Sequence, residues 1–334
     1  MKALCQFPLL ARIRLLPHML ACGMLLSTAQ AGLAQSWPAK PIRLLVPFAP
    51  GGTSSVVART VSAELGKQLG QSIVIENKPG AAGVTAMLET AKSPPDGYTL
   101  VIGHIGSLAV NPYMLRDQPY DVNKDFAPVT LLTKVPNIFV VHPDVPARDM
   151  REFIAYSKKN PGLINYGSAG NGSAGHLAFE YLKLVAGIDI AHIPYKGTGP
   201  QLVDLLAGRT QSSSAGTPAL MQHIKTGKIR AIATGMVKRI PSLPDLVTVA
   251  EQGFPGFETA QWYGINAPAA VPVDIIRRIA DESRKAMRTQ IVAERFANDD
   301  AEAIGSSPEE YGSFIRREQK LWSDIVRRAN IKSD

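Results

Sequence analysis

Cysteine is missing from most of this chain. Of 334 residues only Cys5 and Cys22 are cysteines. Both lie in the first 34 positions, so the remainder has no disulfide, thiolate metal site or cysteine nucleophile. Charge is also sparse, at 19%, and aromatic residues make up 7%. The basic pairs Arg277-Arg278, Arg316-Arg317 and Arg327-Arg328 sit beside acids in helical patterns, with no stacking aromatics near them. They read as solvated helix faces, and nucleic acid is not expected as a partner. The histidines are His18, His104, His142, His176, His192 and His223, and none makes a short metal spacing. No metal and no cofactor are therefore expected. Beyond the leader, no segment is long and charge-free enough to make a membrane span of about 20 residues.

The first 34 residues have the layout of a secretory signal peptide. Lys2, Arg12 and Arg14 precede the apolar stretch Leu15–Leu26, and Ala29-Gln30-Ala31 and Gly32-Leu33-Ala34 are cleavage candidates. The apolar stretch runs past Cys22, which argues against lipid attachment there. The leader supplies three of the net +8 charges. The mature chain is expected to be exported.

Its length suits about two domains. An apolar content of 45% allows a sizeable core, and 28 glycines and 25 prolines exclude a helix bundle. Strand, glycine turn and helix alternate. Pro41–Phe48 reads as a buried strand, Val56–Leu69 as a helix with apolar residues at Val57, Val61, Leu65 and Leu69, Ser72–Glu76 as a strand, Val84–Lys92 as a helix and Tyr98–Gly103 as a strand. The pattern restarts after about residue 136 with strands at Ile138–His142, Ile164–Gly167, Ile190–Pro194, Lys228–Thr234 and Trp262–Ala267. Helices are expected at Met150–Asn160, His176–Ala186 and Gln201–Ala207, and over Val273–Asn330 with a break near Gly305–Pro308. This is an α/β fold with mainly parallel central sheets, whose ligands belong outside the carboxyl ends of the strands.

The glycine turns are therefore the candidate sites. Gly170-Asn-Gly-Ser-Ala-Gly175 matches G-x-G-x-x-G, but a dinucleotide site needs an acid at the end of the next strand. Asp189 begins that strand, and Tyr195-Lys196 ends it. A small-anion cradle fits better: glycine amides and a helix N-terminus face the ligand, with Ser168, Asn171 and Ser173 beside them. Gly51-Gly-Thr-Ser-Ser55 follows the same logic, with Ser54 or Ser55 as a helix cap. Neither serine, nor Ser173, lies in G-x-S-x-G. His176 could touch an anion or be structural, and the other histidines read as structural. In Tyr195-Lys-Gly-Thr-Gly-Pro200 the Gly197 backbone is a better contact than the Lys196 charge.

Seven motifs spread from Trp37 onward, among them Val46-Pro-Phe-Ala-Pro-Gly-Gly52, Asn77-Lys-Pro-Gly-Ala-Ala-Gly83, Asn165-Tyr-Gly-Ser-Ala-Gly-Asn-Gly-Ser173, Ile193-Pro-Tyr-Lys-Gly197 and Leu243-Pro-Asp-Leu-Val-Thr-Val-Ala-Glu251, resemble the periplasmic receptors of tripartite tricarboxylate transporters, the Bug-type proteins. The resemblance implies a two-domain type II flytrap, with 35–136 plus 260–334 as one domain and 137–259 as the other. It implies a periplasmic monomer that closes on a small organic acid, performs no catalysis and hands its cargo to an inner-membrane permease. By position, the ligand contacts it implies are Gly51, Gly52, Thr53, Ser54 and Ser55; Ala169, Gly170, Asn171, Gly172 and Ser173, with His176; and Tyr195, Lys196 and Gly197. Ser107, Gly216 and Thr217 complete the set. Two departures, Ser55 and Ala215, stand where the family often has an acid. Both remove negative charge, which points to a ligand with no amine or with more than one carboxylate. A receptor feeding a sensor kinase would use the same cleft. An exported enzyme would need an acid/base set that these turns lack.

Overall fold

The computed structural model describes residues 37–332. The signal peptide expected over 1–34 lies outside the described residues. Among the described residues, no helix is long and apolar enough to cross a membrane.

Lys40–Asp334 forms one compact unit. Strand β1 (Ile42–Val46) leads into α1 (Thr53–Leu69), followed by β2 (Ile73–Asn77), α2 (Val84–Ala91) and β3 (Thr99–His104). A wide helical turn at Gly106–Val110 and a short helix α3 (Asn111–Met114) precede β4 (Phe126–Val141). Then come α4 (Met150–Lys159), β5 (Asn165–Ser168), α5 (Ala174–Ala186), β6 (Ala191–Pro194), α6 (Thr198–Leu206), β7 (Ser212–Gly216), α7 (Thr217–Lys225) and β8 (Arg230–Thr234). The chain ends with β9 (Ala260–Pro268), α8 (Val273–Met287), α9 (Gln290–Asn298), β10 (Glu302–Ala303) and α10 (Pro308–Arg328).

The strands make one curled sheet in the order β2-β1-β3-β9-β4-β7-β5-β6, with β8 and β10 also on β4. Its two wings, β2-β1-β3 and β7-β5-β6, are parallel, as the alternating pattern requires. Between them, β9 and β4 run antiparallel to each other, to β3 and to β7. β4 pairs with β9 over Phe126–Pro136 and with β7 over Asn137–Val141, so one strand serves both wings.

Burial explains the rest. In β4, Ile138 and Val140 pack with Leu205 and Leu220, while Phe139 and Val141 pack with Phe153 and Phe179. Both faces of the strand are covered, which is why this stretch reads as a continuous apolar run. The first wing and β9 bury Leu45, Val101 and Trp262 against Tyr311, Phe314 and Trp322 of α10. Helix α1 buries Val57, Val61, Leu65 and Leu69. Gly70 closes it in the left-handed region at φ 72°.

Three expectations change, and one element is added. Helix α1 begins at Thr53, not Val56, so neither Ser54 nor Ser55 is a cap; Gly52 holds that position, with no side-chain cap. β4 begins twelve residues before Ile138, because it pairs with β9 from Phe126 to Pro136, with a register shift just after Pro128. The serine-rich stretch Ser212–Gly216, to which the sequence assigns no element, is a fully buried strand leading straight into α7. The helical tail breaks at Arg288-Thr289 as well as near Gly305.

Phe179 is fully buried and touches Phe139, Phe153 and Tyr166. Phe179→Ala should cost about 3–5 kcal/mol in urea unfolding. Val203→Ala, at a 60% exposed position, should stay within about 0.5 kcal/mol.

Candidate functional site

The turns at the carboxyl ends of the two parallel strand sets face and touch each other. Ala49 N–H donates to the Lys196 carbonyl at 3.0 Å. A side chain on Gly106 would start 2.0 Å from the Gly172 carbonyl oxygen, and one on Gly199 would start 2.8 Å from that of Pro50. Glycine is required at these crossings because backbone meets backbone there.

Behind these contacts lies a small cavity. Phe48, Gly52, Thr53 and Ser54 line it from the first turn, and His104 and Ile105 from the end of β3. Ala169, Ser173, Ala174 and Gly175 come from the turn after β5, Thr198 from α6, Ser214 and Ala215 from β7, and Gln261, Trp262 and Tyr263 from β9. The lining contains no aspartate, glutamate, lysine or arginine. The first turns of α1, α5 and α6 reach it, and α7 begins beside Thr53, the Oγ1 of which lies 2.6 Å from where a Gly216 side chain would start. Each helix start carries roughly half a positive charge and unshared N–H groups. Gly52, Gly197 and Gly216 provide no side-chain cap to α1, α6 and α7, whereas Ser173 caps α5 by accepting from His176 N–H.

Three polar atoms on the wall, Thr53 Oγ1, His104 Nε2 and Ser214 Oγ, are buried without a hydrogen-bond partner in the protein. Buried polar atoms are rarely left so. Other wall groups are tied down. Tyr263 O–H donates to Gln261 Oε1, Gln261 Nε2 donates to Asn137 Oδ1 at 2.8 Å, and Asn137 Nδ2 donates to the Ala174 carbonyl at 3.3 Å. This chain runs from β9 through the crossover strand to the first turn of α5. Trp262 Nε1 donates to Glu318 at 2.8 Å.

Of the residues singled out in the sequence, Gly52, Thr53, Ser54, Ala169 and Ser173 line the cavity. Gly170, Asn171, Tyr195 and Lys196 line an adjoining outer cleft with Pro47, Gly80, Ala82, Gly83 and Pro194, and Phe48 and Ala169 belong to both. Gly51 and Gly197 sit at the contact between the turns. Tyr195 commits its hydroxyl to Asp204 at 2.6 Å. Ser55 accepts from Asn77 Nδ2 at 2.9 Å. Ser107 props the end of β3, accepting from His104 N–H at 3.2 Å. Thr217 donates to the Asp299 carbonyl, and Gly216 precedes it beside Thr53. His176 accepts from Gly172 N–H through Nδ1 at 3.2 Å and stacks on His192, with Gly172 at the turn contact.

Sequence reasoning passed over Phe48, His104, Thr198, Ser214 and the Gln261–Tyr263 wall. His104 closes a strand and Thr198 adjoins Gly197, so the carboxyl-end rule could have flagged both. Ser214 and Gln261 become visible only through strand pairing.

Comparison with known proteins identifies the family and fold. Residues 57–331 match the family model described as the tripartite tricarboxylate transporter family receptor. BugT of Bordetella pertussis is 35% identical over 300 residues, covering 90% of this chain and 92% of that one. Among solved structures, Rhodopseudomonas palustris Rpa4515 with adipate is 35% identical at a TM-score of 0.86, covering 89% of this chain and all of that one. MatC of the same organism, with bound malate, is 31% identical at 0.84, covering 87% and all of its chain. The two-domain periplasmic-binding-protein fold is thereby shown.

Burial lowers the pKa of His104 to about 3 and that of His176 to about 4, with Lys183 adding to the latter. Between pH 6.5 and 5 the unfolded imidazoles take up protons that the folded ones refuse. Stability should therefore fall with pH in this window, by up to about 1.4 kcal/mol per unit for each histidine. His176→Asn, which keeps an acceptor for Gly172 N–H, should flatten the slope of urea midpoints measured over that range.

Proposed function

As the chain belongs to the tripartite tricarboxylate transporter receptor family, we propose that it captures a small organic acid lacking an ammonium group and delivers it to an inner-membrane permease. The observation that carries this reading is a cavity without charged side chains, walled by both wings, on which helix N-termini converge. Neutral donors and helix dipoles hold a carboxylate with modest desolvation cost, and the cargo stays releasable. A buried lysine or arginine would bind it harder. With no carboxylate on the wall, an ammonium group would find no counter-charge. Ala215 lines the cavity and Ser55 bonds to Asn77, so neither departure from the family pattern restores an acid there.

In this reading the lobes are 35–136 with 260–334, and 137–259. They close over the ligand by motion about β4 and β9, and the chain works as a monomer without turnover in the periplasm, exported by its leader. Adipate and malate, present in two relatives, set the size range to examine first.

Thermal-shift screening of the mature protein against malate, adipate, citrate, nicotinate, arginine and putrescine tests the ligand class. An acid at 100 times its Kd should stabilise the fold by about 2.7 kcal/mol, and the amines should do nothing. Ser173→Asp should still cap α5 yet lose the acid-induced shift, because its charge enters the cavity. Stabilisation by the amines alone, or a shift that survives in Ser173→Asp, would count against the reading.

Closure is tested separately. Gly106→Ala places a methyl 2.0 Å from the Gly172 carbonyl oxygen. Small-angle scattering should show the wild type contracting with ligand and Gly106→Ala failing to do so.

A further inference from the structure

His104 is the residue on the cavity wall whose chemistry is most tightly defined. It ends β3 and is 3% exposed, and its ring packs against Phe48 with centroids 4.7 Å apart. Gly106 N–H donates to Nδ1 at 3.0 Å. An Nδ1 that accepts cannot carry a proton, so in the neutral ring the proton sits on Nε2. That Nε2 is buried with no hydrogen-bond partner in the protein. A side chain on Gly83 would begin 3.3 Å from it, but Gly83, at φ 86°, has none. Gly83 lines the outer cleft, whereas His104 lines the inner cavity, so Nε2 stands where the two spaces meet.

A buried donor left without an acceptor is costly, commonly about 1–3 kcal/mol. It persists where function needs it. Here the backbone of the same turn fixes which nitrogen donates, much as a partner on the other nitrogen fixes the tautomer of a metal-bound histidine. The ring also stays uncharged across the physiological range because burial depresses its ionisation. It can therefore donate one hydrogen bond without adding a cation to a charge-free wall.

We propose that His104 is a specificity-determining residue whose Nε2–H donates to an oxygen of the bound acid at the junction of the inner cavity and the outer cleft. This deepens the reading above and rests on it. The ligand class it selects is an acid that presents an oxygen acceptor at that junction, through a second carboxylate, hydroxyl or oxo group. Acids with only an apolar or ammonium group there would leave the donor unmet.

The test uses the mature protein with adipate and malate as probes. Long-range ¹H–¹⁵N NMR of the imidazoles, assigned with His104→Gln, should show the Nε2–H tautomer for His104 at pH 7 before any acid is added. On saturation with the better-binding probe, the Nε2 signal should move and Nδ1 should stay. By calorimetry, His104→Phe should weaken that probe about tenfold or more. His104→Gln, which keeps a terminal N–H donor, should recover most of the loss. An Nδ1–H tautomer, an unmoved Nε2 signal in a protein that binds the probe, or wild-type affinity in His104→Phe would each overturn the role of His104 alone. A wild type that binds neither acid, yet shows the Nε2–H tautomer, would overturn this proposal together with the acid-receptor reading beneath it.

Discussion

The pairing of β4 with two different sets of strands is the constraint on which this molecule depends. One half of the strand is hydrogen-bonded to β9 and the other to β7 and β8. The apolar side chains of its second half are divided between two cores. Because β4 and β9 run against the parallel wings, the carboxyl ends of both wings turn toward one another. Every turn that could serve a ligand is thereby brought to one place. Changing the direction or register of β4 would move whole faces of side chains, since a strand's residues alternate sides.

In the proposed function, that convergence allows recognition without charged side chains. Helix starts from both wings deliver partial positive charge and N–H groups, and the glycines at Gly106 and Gly199 let backbones meet closely enough to shut out water. Dipoles aimed from several directions strengthen one another inside a low-dielectric space. They leave no permanent cation to be desolvated in the ligand-free protein or to hold the cargo after opening. The wall is correspondingly stiff. Tyr263, Gln261 and Asn137 are bonded in series up to the first turn of α5, which ties the crossover strands to a helix start on the cavity wall.

Histidine has two different uses in this setting. His176 is consumed by structure, stacked on His192 and bonded to the Gly172 amide. His104 is held by a backbone amide on one nitrogen only, and its other nitrogen remains committed to nothing in the protein. Both rings have an aromatic neighbour, His192 for the first and Phe48 for the second.

Local sequence was sufficient for the alternation of strands and helices and for the glycine turns, because these follow from apolar spacing, residue type and backbone freedom. Gly52, Thr53, Ser54, Ala169 and Ser173, singled out in the sequence because they lie where a strand gives way to a helix, line the cavity. Local sequence could not reveal that Ser212–Gly216 is a buried strand, that β4 begins at Phe126, or that Ser214, Gln261 and His104 share one wall with those turns. A run of serines carries no apolar period to mark a strand until pairing buries it, and prolines such as Pro128 and Pro136 interrupt a strand pattern that only the pairing with β9 reveals. Which histidine faces the cavity was likewise decided by tertiary structure, because only the meeting of two wings, far apart in sequence, determines which buried nitrogen finds a partner and which does not.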